Sequence, residues 1–191
     1  MGSNQRGAST VIGVVLMVAL VVVLAATVSV FVLGFGEESD EPAPIVVETS
    51  GEFVPGSGTD EQVVRLTHIG GDTVDVENLE IAVRAFDPDG ALITESRMVN
   101  LPGTGSTPWI PDEDIRGDDD LIDQSSGAAD IINDDDPNVW TAGRTIQFRI
   151  GVGAADFRDP PVGSNPEADE LEVRVVHTDP NTILVDETFR P

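Results

Sequence analysis

The 191-residue chain carries 35 acids against 10 arginines, with no lysine, for a formal net charge of −25. It has no cysteine, which excludes disulfide bridges, thiolate metal centres and a cysteine nucleophile. The charge is unevenly placed: residues 7–36 have none, and residues 37–191 hold every acid and nine of the ten arginines. A surface this acidic argues against nucleic acid as a partner, because phosphate backbones are bound by clustered Lys and Arg. Self-repulsion on this scale is relieved at molar salt, where the Debye length falls to about 3 Å, so the composition points to a high-salt habitat.

The first element is the most apolar. Met1 to Gly7 is short and polar, with Arg6 its one base, and Ala8 to Phe35 then runs without charge or proline. As a helix that run would reach roughly 42 Å at 1.5 Å per residue, against the roughly 30 Å of a bilayer core. It is too long for the apolar region of a secretory signal, which has about 7–15 residues. Glu37, Glu38, Asp40 and Glu41 close it off. A base before the run and acids after it predict a cytoplasmic N-terminus and an external C-terminal part. Two readings survive on composition: a plain membrane anchor, or a precursor whose leader is cut off while the apolar stretch is kept for assembly.

The residues themselves favour the second. Arg6-Gly7 followed by Ala8-Ser9-Thr10-Val11-Ile12-Gly13-Val14-Val15-Leu16-Met17-Val18-Ala19, continuing through Leu24-Ala25-Ala26 to Phe31-Val32-Leu33-Gly34, closely resembles the N-terminus of haloarchaeal type IV pilins. The resemblance implies prepilin processing at Arg6, Gly7 and Ala8, with the cut between Gly7 and Ala8. It implies assembly through the helix into a pilus, first from membrane lipid and then among copies of itself and other pilins. The implied partners are a prepilin peptidase, an assembly ATPase and a platform membrane protein, and the implied output is adhesion or biofilm formation at the cell surface. Bacterial type IV pilins carry Glu at the fifth mature position, whereas this chain has Ile12, so no ion pair from that residue can order its subunits. Gly13, Ala19, Ala25, Ala26 and Ser29 are the candidate packing positions, since small residues let helix backbones approach.

After an expected hinge at 37–44, with Pro42 and Pro44, the pattern changes to period-two alternation. Expected strands are Ile45–Glu48, Val63–Ile69, Leu79–Phe86, Ala91–Val99, Arg144–Val152, Leu171–His177 and Thr182–Phe189. The turn Asp87-Pro88-Asp89-Gly90 signals a hairpin. The expected fold is α+β in layout: one long N-terminal helix, then a mainly antiparallel β-sandwich head over 45–191, an Ig-like arrangement being one form of it. Leu66 to Asp72, a strand ending in Gly70-Gly71, and a terminal hairpin from Val173 to Glu187 also look like the pilin family.

Residues 102–138 interrupt the strands with Gly, Pro, Ser and many acids, as in Asp118-Asp119-Asp120 and Asp134-Asp135-Asp136. Within a compact domain a connection this long is usually functional or disordered; Leu121-Ile122 and Ala128–Ile132 are candidates for one helical turn each. Asp112, Asp114, Asp118, Asp120 and Asp123 match an EF-hand count, with Gly117 at position six, but Arg116 stands at a ligand position and Asp123 replaces the bidentate Glu. The expectation is a solvated acidic loop with no metal. The chain lacks G-x-S-x-G, H-E-x-x-H and P-loop motifs, and His68 and His177 lie in strand patterns, so neither catalysis nor a cofactor is expected. Trp140 is expected in the core, and Trp109, between Pro108 and Pro111, in the core or at the surface. None of the seven asparagines begins a glycosylation sequon. An archaellin-like subunit, or an extracellular ligand-binding protein on an uncleaved helix, is the alternative.

Overall fold

A computed structural model of the chain describes residues 5–34, 43–56, 62–102, 110–125, 131 and 138–191, with helix side chains over 11–28. Two compact units divide it, Met1–Glu41 and Pro42–Pro191. The first is a single helix, α1 (Gln5–Gly34), of 30 residues. Nothing in its sequence breaks it: proline is absent, and Gly13 is the one interior glycine. The hydroxyl of Thr27 donates to the carbonyl of Leu24 at 2.8 Å, so this polar group is satisfied inside the helix. Most of the expected hinge, residues 37–42, lies outside the described residues.

The second unit is a sandwich of antiparallel sheets. One sheet has the order β1-β2-β8, from β1 (Val46–Pro55), β2 (Gln62–Gly71) and β8 (Thr145–Ile150). The other has the order β10-β9-β4-β5-β6, from β4 (Leu79–Phe86), β5 (Leu92–Met98), β6 (Ile115–Gly117), β9 (Glu170–Thr178) and β10 (Asn181–Phe189). A two-stranded ribbon joins β3 (Val74–Asp75) to β7 (Val139–Trp140).

Alternation delivers the inner faces. Val64 and Leu66 of β2 and Ile146, Phe148 and Ile150 of β8 are buried in one core with Leu79, Ile81, Val83 and Ala85 of β4 and Leu171, Val173 and Val175 of β9. Each of these side chains larger than Ala85 contributes about 1.5–3 kcal/mol on leaving water. At one margin Phe53 of β1 lies 6.0 Å from Phe189 of β10 and 5.0 Å, edge-on, from Phe157. Gly51 permits that approach, since a Cβ there would stand 2.9 Å from the Phe189 ring. In the β4–β5 hairpin the Asp87 carboxylate accepts from the backbone N–H groups of Asp89 (3.0 Å) and Ala91 (2.7 Å), and Gly90 takes φ +80°.

All seven expected strands are present, and β1 runs on to Pro55. The acidic connection differs from a solvated loop in its described parts. Ile110, Ile115, Leu121, Ile122 and Ile131 are buried in the shared core, and Ile115–Gly117 extends the larger sheet as β6. Leu121 ends a 3-10 turn begun at Asp119, and Ile122 bridges to Ile150. Backbone N–H groups tie this stretch to β8, from Asp123 to the Arg149 carbonyl (3.0 Å) and from Gly151 to the Leu121 carbonyl (2.9 Å). Ala128–Ile132 lies outside the described residues except for Ile131.

The tie at Gly151 is sterically exact to within a methyl group, because a Cβ there would stand 2.2 Å from the Asp120 carbonyl oxygen. Gly151→Ala is therefore expected to destabilise the head by about 1–3 kcal/mol. Thermal unfolding of the full chain in detergent should show a Tm loss of roughly 2–4 °C per kcal/mol; an unchanged Tm would mean the acidic stretch is not held against β8.

Candidate functional site

The surface with the clearest capacity for interaction is α1. From Val11 to Val28 every side chain is exposed, and this window is long and apolar enough to cross a membrane. Thirty residues extend about 45 Å, more than a bilayer core needs. Gly13, Ala19, Ala25 and Ala26 are all exposed; for Ser29, as for Arg6, Gly7 and Ala8, only the helical backbone is described. At 3.6 residues per turn, positions 19, 25, 26 and 29 share an arc of about 120°, and Gly13 stands opposite its centre. The small residues therefore occupy two faces rather than one stripe. A Cβ on Gly13 would meet no atom within 4 Å, so nothing else in the described chain requires a glycine there. The Gly7–Ala8 bond falls in the first turns of the helix, which begins at Gln5.

The acidic stretch does not assemble as the EF-hand count would have it. Asp118, Asp119 and Asp120 each bring a carboxylate oxygen within 4.8 Å of the others. Asp118 is already engaged, accepting from the Thr94 hydroxyl (2.5 Å) and from the Asp120 N–H (3.1 Å). Asp114 is buried and accepts from the Asn100 amide at 2.6 Å. The spacing along the chain is consumed by two separate 3-10 turns and a strand, which send these carboxylates to different partners.

Both histidines are core residues. His68 is fully buried, its Nε2 3.1 Å from the Asp72 carbonyl and its ring edge-on to Trp140 at 5.0 Å. Trp140, also fully buried, donates its indole N–H to the Arg144 carbonyl at 3.2 Å. His177 is buried on β9. Trp109 lies outside the described residues.

Sequence reasoning missed the main electrostatic centre, in the connection from β8 to β9. The fully buried Asp156 carboxylate accepts from Arg158 Nε (2.7 Å) and Nη2 (2.6 Å), from the backbone N–H of Arg158 (3.1 Å) and Val162 (2.9 Å), and from the Asn165 amide (3.1 Å). Gln62 clamps the same segment, donating to the Ala155 carbonyl (2.7 Å) and accepting from the Phe157 N–H (2.6 Å). The Arg158 guanidinium, aided by those backbone and amide donors, holds the Asp156 carboxyl well below the usual carboxylate range, against the opposing effect of burial. The D-F-R tripeptide offered a faint signal, but one acid near one base is common.

Comparison with known proteins places the helix. Residues 6–46 match the family described as archaeal type IV pilin, N-terminal. An uncharacterised protein of Archaeoglobus fulgidus is 33% identical over 114 residues, spanning 53% of this chain and 77% of the relative.

The Asp156 centre sets an acid limit on the head. Its carboxyl is depressed in the folded state, so its stabilisation is complete above the unfolded value of about 4 and drains away as pH falls below it. Asp156→Ala is expected to cost about 3–5 kcal/mol at pH 7, because the donors of Arg158, Val162 and Asn165 lose their buried charged acceptor. In denaturant titrations of the full chain, the gap between wild type and variant should narrow below pH 4; a gap independent of pH would remove the charge from the account.

Proposed function

Because the chain belongs to the archaeal type IV pilin family, we propose that it is a haloarchaeal pilus subunit, inserted as a precursor, cut between Gly7 and Ala8 and polymerised through residues 8–36. The observation that carries this reading is the uncharged window Val11–Val28, exposed on every side. Such a helix is stable in lipid, and it can leave lipid only for another dry environment, which a bundle of identical helices supplies. Transfer between two apolar surroundings gains little from the hydrophobic effect itself, so close packing decides whether the bundle holds. Gly13 on one side and Ala19, Ala25, Ala26 and Ser29 on the other would give each helix two faces for close approach.

In this reading the N-terminus starts in the cytoplasm, the β-rich head is carried outside, and the role is structural rather than catalytic. A prepilin peptidase, an assembly ATPase and a platform membrane protein would act on the precursor and the growing filament. Adhesion or biofilm formation would be the output, and a high-salt medium would screen the acidic heads. An archaellin-like filament differs in what drives it, and an uncleaved anchor differs in keeping its leader.

N-terminal sequencing of the surface form is expected to begin at Ala8; a start at Met1 or Gly2 would favour the anchor. Gly7→Asp should leave uncut precursor in the membrane and strip shed filaments of immunogold label. Gly13→Leu should insert normally yet lower the yield of sheared filaments, because the added bulk meets only a neighbouring helix; full yield would show that Gly13 is not a packing position.

A further inference from the structure

The outer face of the larger sheet carries a concentration of arginine that the rest of this acidic chain lacks. Arg97 of β5 is ion-paired with Glu80 at 2.9 Å, Arg84 of β4 with Glu95 at 3.2 Å, and Arg174 of β9 with Asp186 at 3.1 Å. Glu172 lies between Arg84 (3.9 Å) and Arg174 (3.7 Å). Arg116 of β6 is exposed and has no ion-pair partner among the described residues. The middle of this face therefore sets four arginines against four acids, while the rest of residues 37–191 has five arginines against 31 acids.

The register makes one pair conspicuous. Arg116 stands directly opposite Arg97 across the β5–β6 ladder, and like charges at directly opposed positions destabilise a sheet. Gly117, at φ +98°, holds β6 close: a Cβ there would stand 2.6 Å from the Glu95 carbonyl oxygen. Beside the two guanidinium groups lies an open cleft of about 540 Å³, lined also by Glu80, Glu95 and Asn100. Arg97 next to Ala82 on its other side leaves room above the sheet, because Ala82 projects only a methyl group between Arg97 and Arg174.

We propose that this face, at Arg97 and Arg116, is a docking surface for the carboxylates of a second copy of the chain. The occupant follows from charge and from proximity. An acid from outside relieves the Arg97–Arg116 pair, and a guanidinium offers paired donors suited to a carboxylate. Heads gathered by their helices meet first of all other copies of themselves, each acid-rich. The neutral face is where two such heads approach with least repulsion, and head-to-tail contacts of this heterologous kind extend a filament rather than close a ring. The proposal rests on the filament reading above.

The absence of cysteine makes the test direct. In full-length chain carrying Ala82→Cys, beside Arg97 on the same face, maleimide labelling is compared between sheared filaments and the same filaments dispersed in detergent. Asp89→Cys, on the β4–β5 turn, measures reagent access. Labelling at position 82 is expected to slow by about tenfold or more in filaments, as solvent exclusion at a contact centre requires, while position 89 stays reactive. Arg116→Glu should lower filament yield without lowering the Tm of dispersed subunits, and Arg116→Gln should fall between. Equal labelling in the two states, or equal protection at both positions, overturns the proposal and leaves the filament reading intact. If wild-type cells shed no filaments of this chain, both are wrong.

Discussion

The structure depends on one constraint: a helix that is apolar on every face must be surrounded by something as dry as itself. Water cannot accommodate Val11–Val28 at acceptable cost, and α1 has no charged stripe by which to lie on a polar surface. The chain therefore divides its labour. One unit is specified by what it will touch, and the other by what it contains. The helix requires little beyond length, apolar side chains and an unbroken backbone. The head requires a full core, because it must hold its shape at high negative charge.

Much of the head's regular structure was legible because period-two alternation is a local signal. Leu79, Ile81, Val83 and Ala85 announce a strand without reference to any other part of the chain, and so do Ile146, Phe148 and Ile150. The short pieces were not legible. Val74–Asp75, Ile115–Gly117 and Val139–Trp140 are strands only because a partner strand lies beside them, and two or three residues carry no period. The same limit hid the buried isoleucines of the acidic connection, which are spaced too irregularly among Asp and Gly to show a face.

For the site, the helix was legible because its apolar run is contiguous, although α1 begins at Gln5, three residues before the expected start at Ala8, and ends at Gly34. Geometry added that the small residues divide between opposite sides. The Asp156 and Gln62 arrangement was invisible for a different reason. Both serve backbone groups of an irregular connection, and which N–H groups need an acceptor depends on the path of the chain. Gln62 reaches residues more than ninety positions away. Polar residues that satisfy buried backbone in this way stabilise a loop as a strand's ladder stabilises a strand.

The edge-on meeting of His68 and Trp140 gives the head an optical gauge of its own integrity. With no tyrosine in the chain, ultraviolet emission comes from two tryptophans alone. The indole at 140 sits in a dry wall with its N–H tied to a carbonyl, so separating the β3–β7 ribbon would wet the ring and move its glow to the red. The state of the subunit can thus be followed by colour, without an added dye.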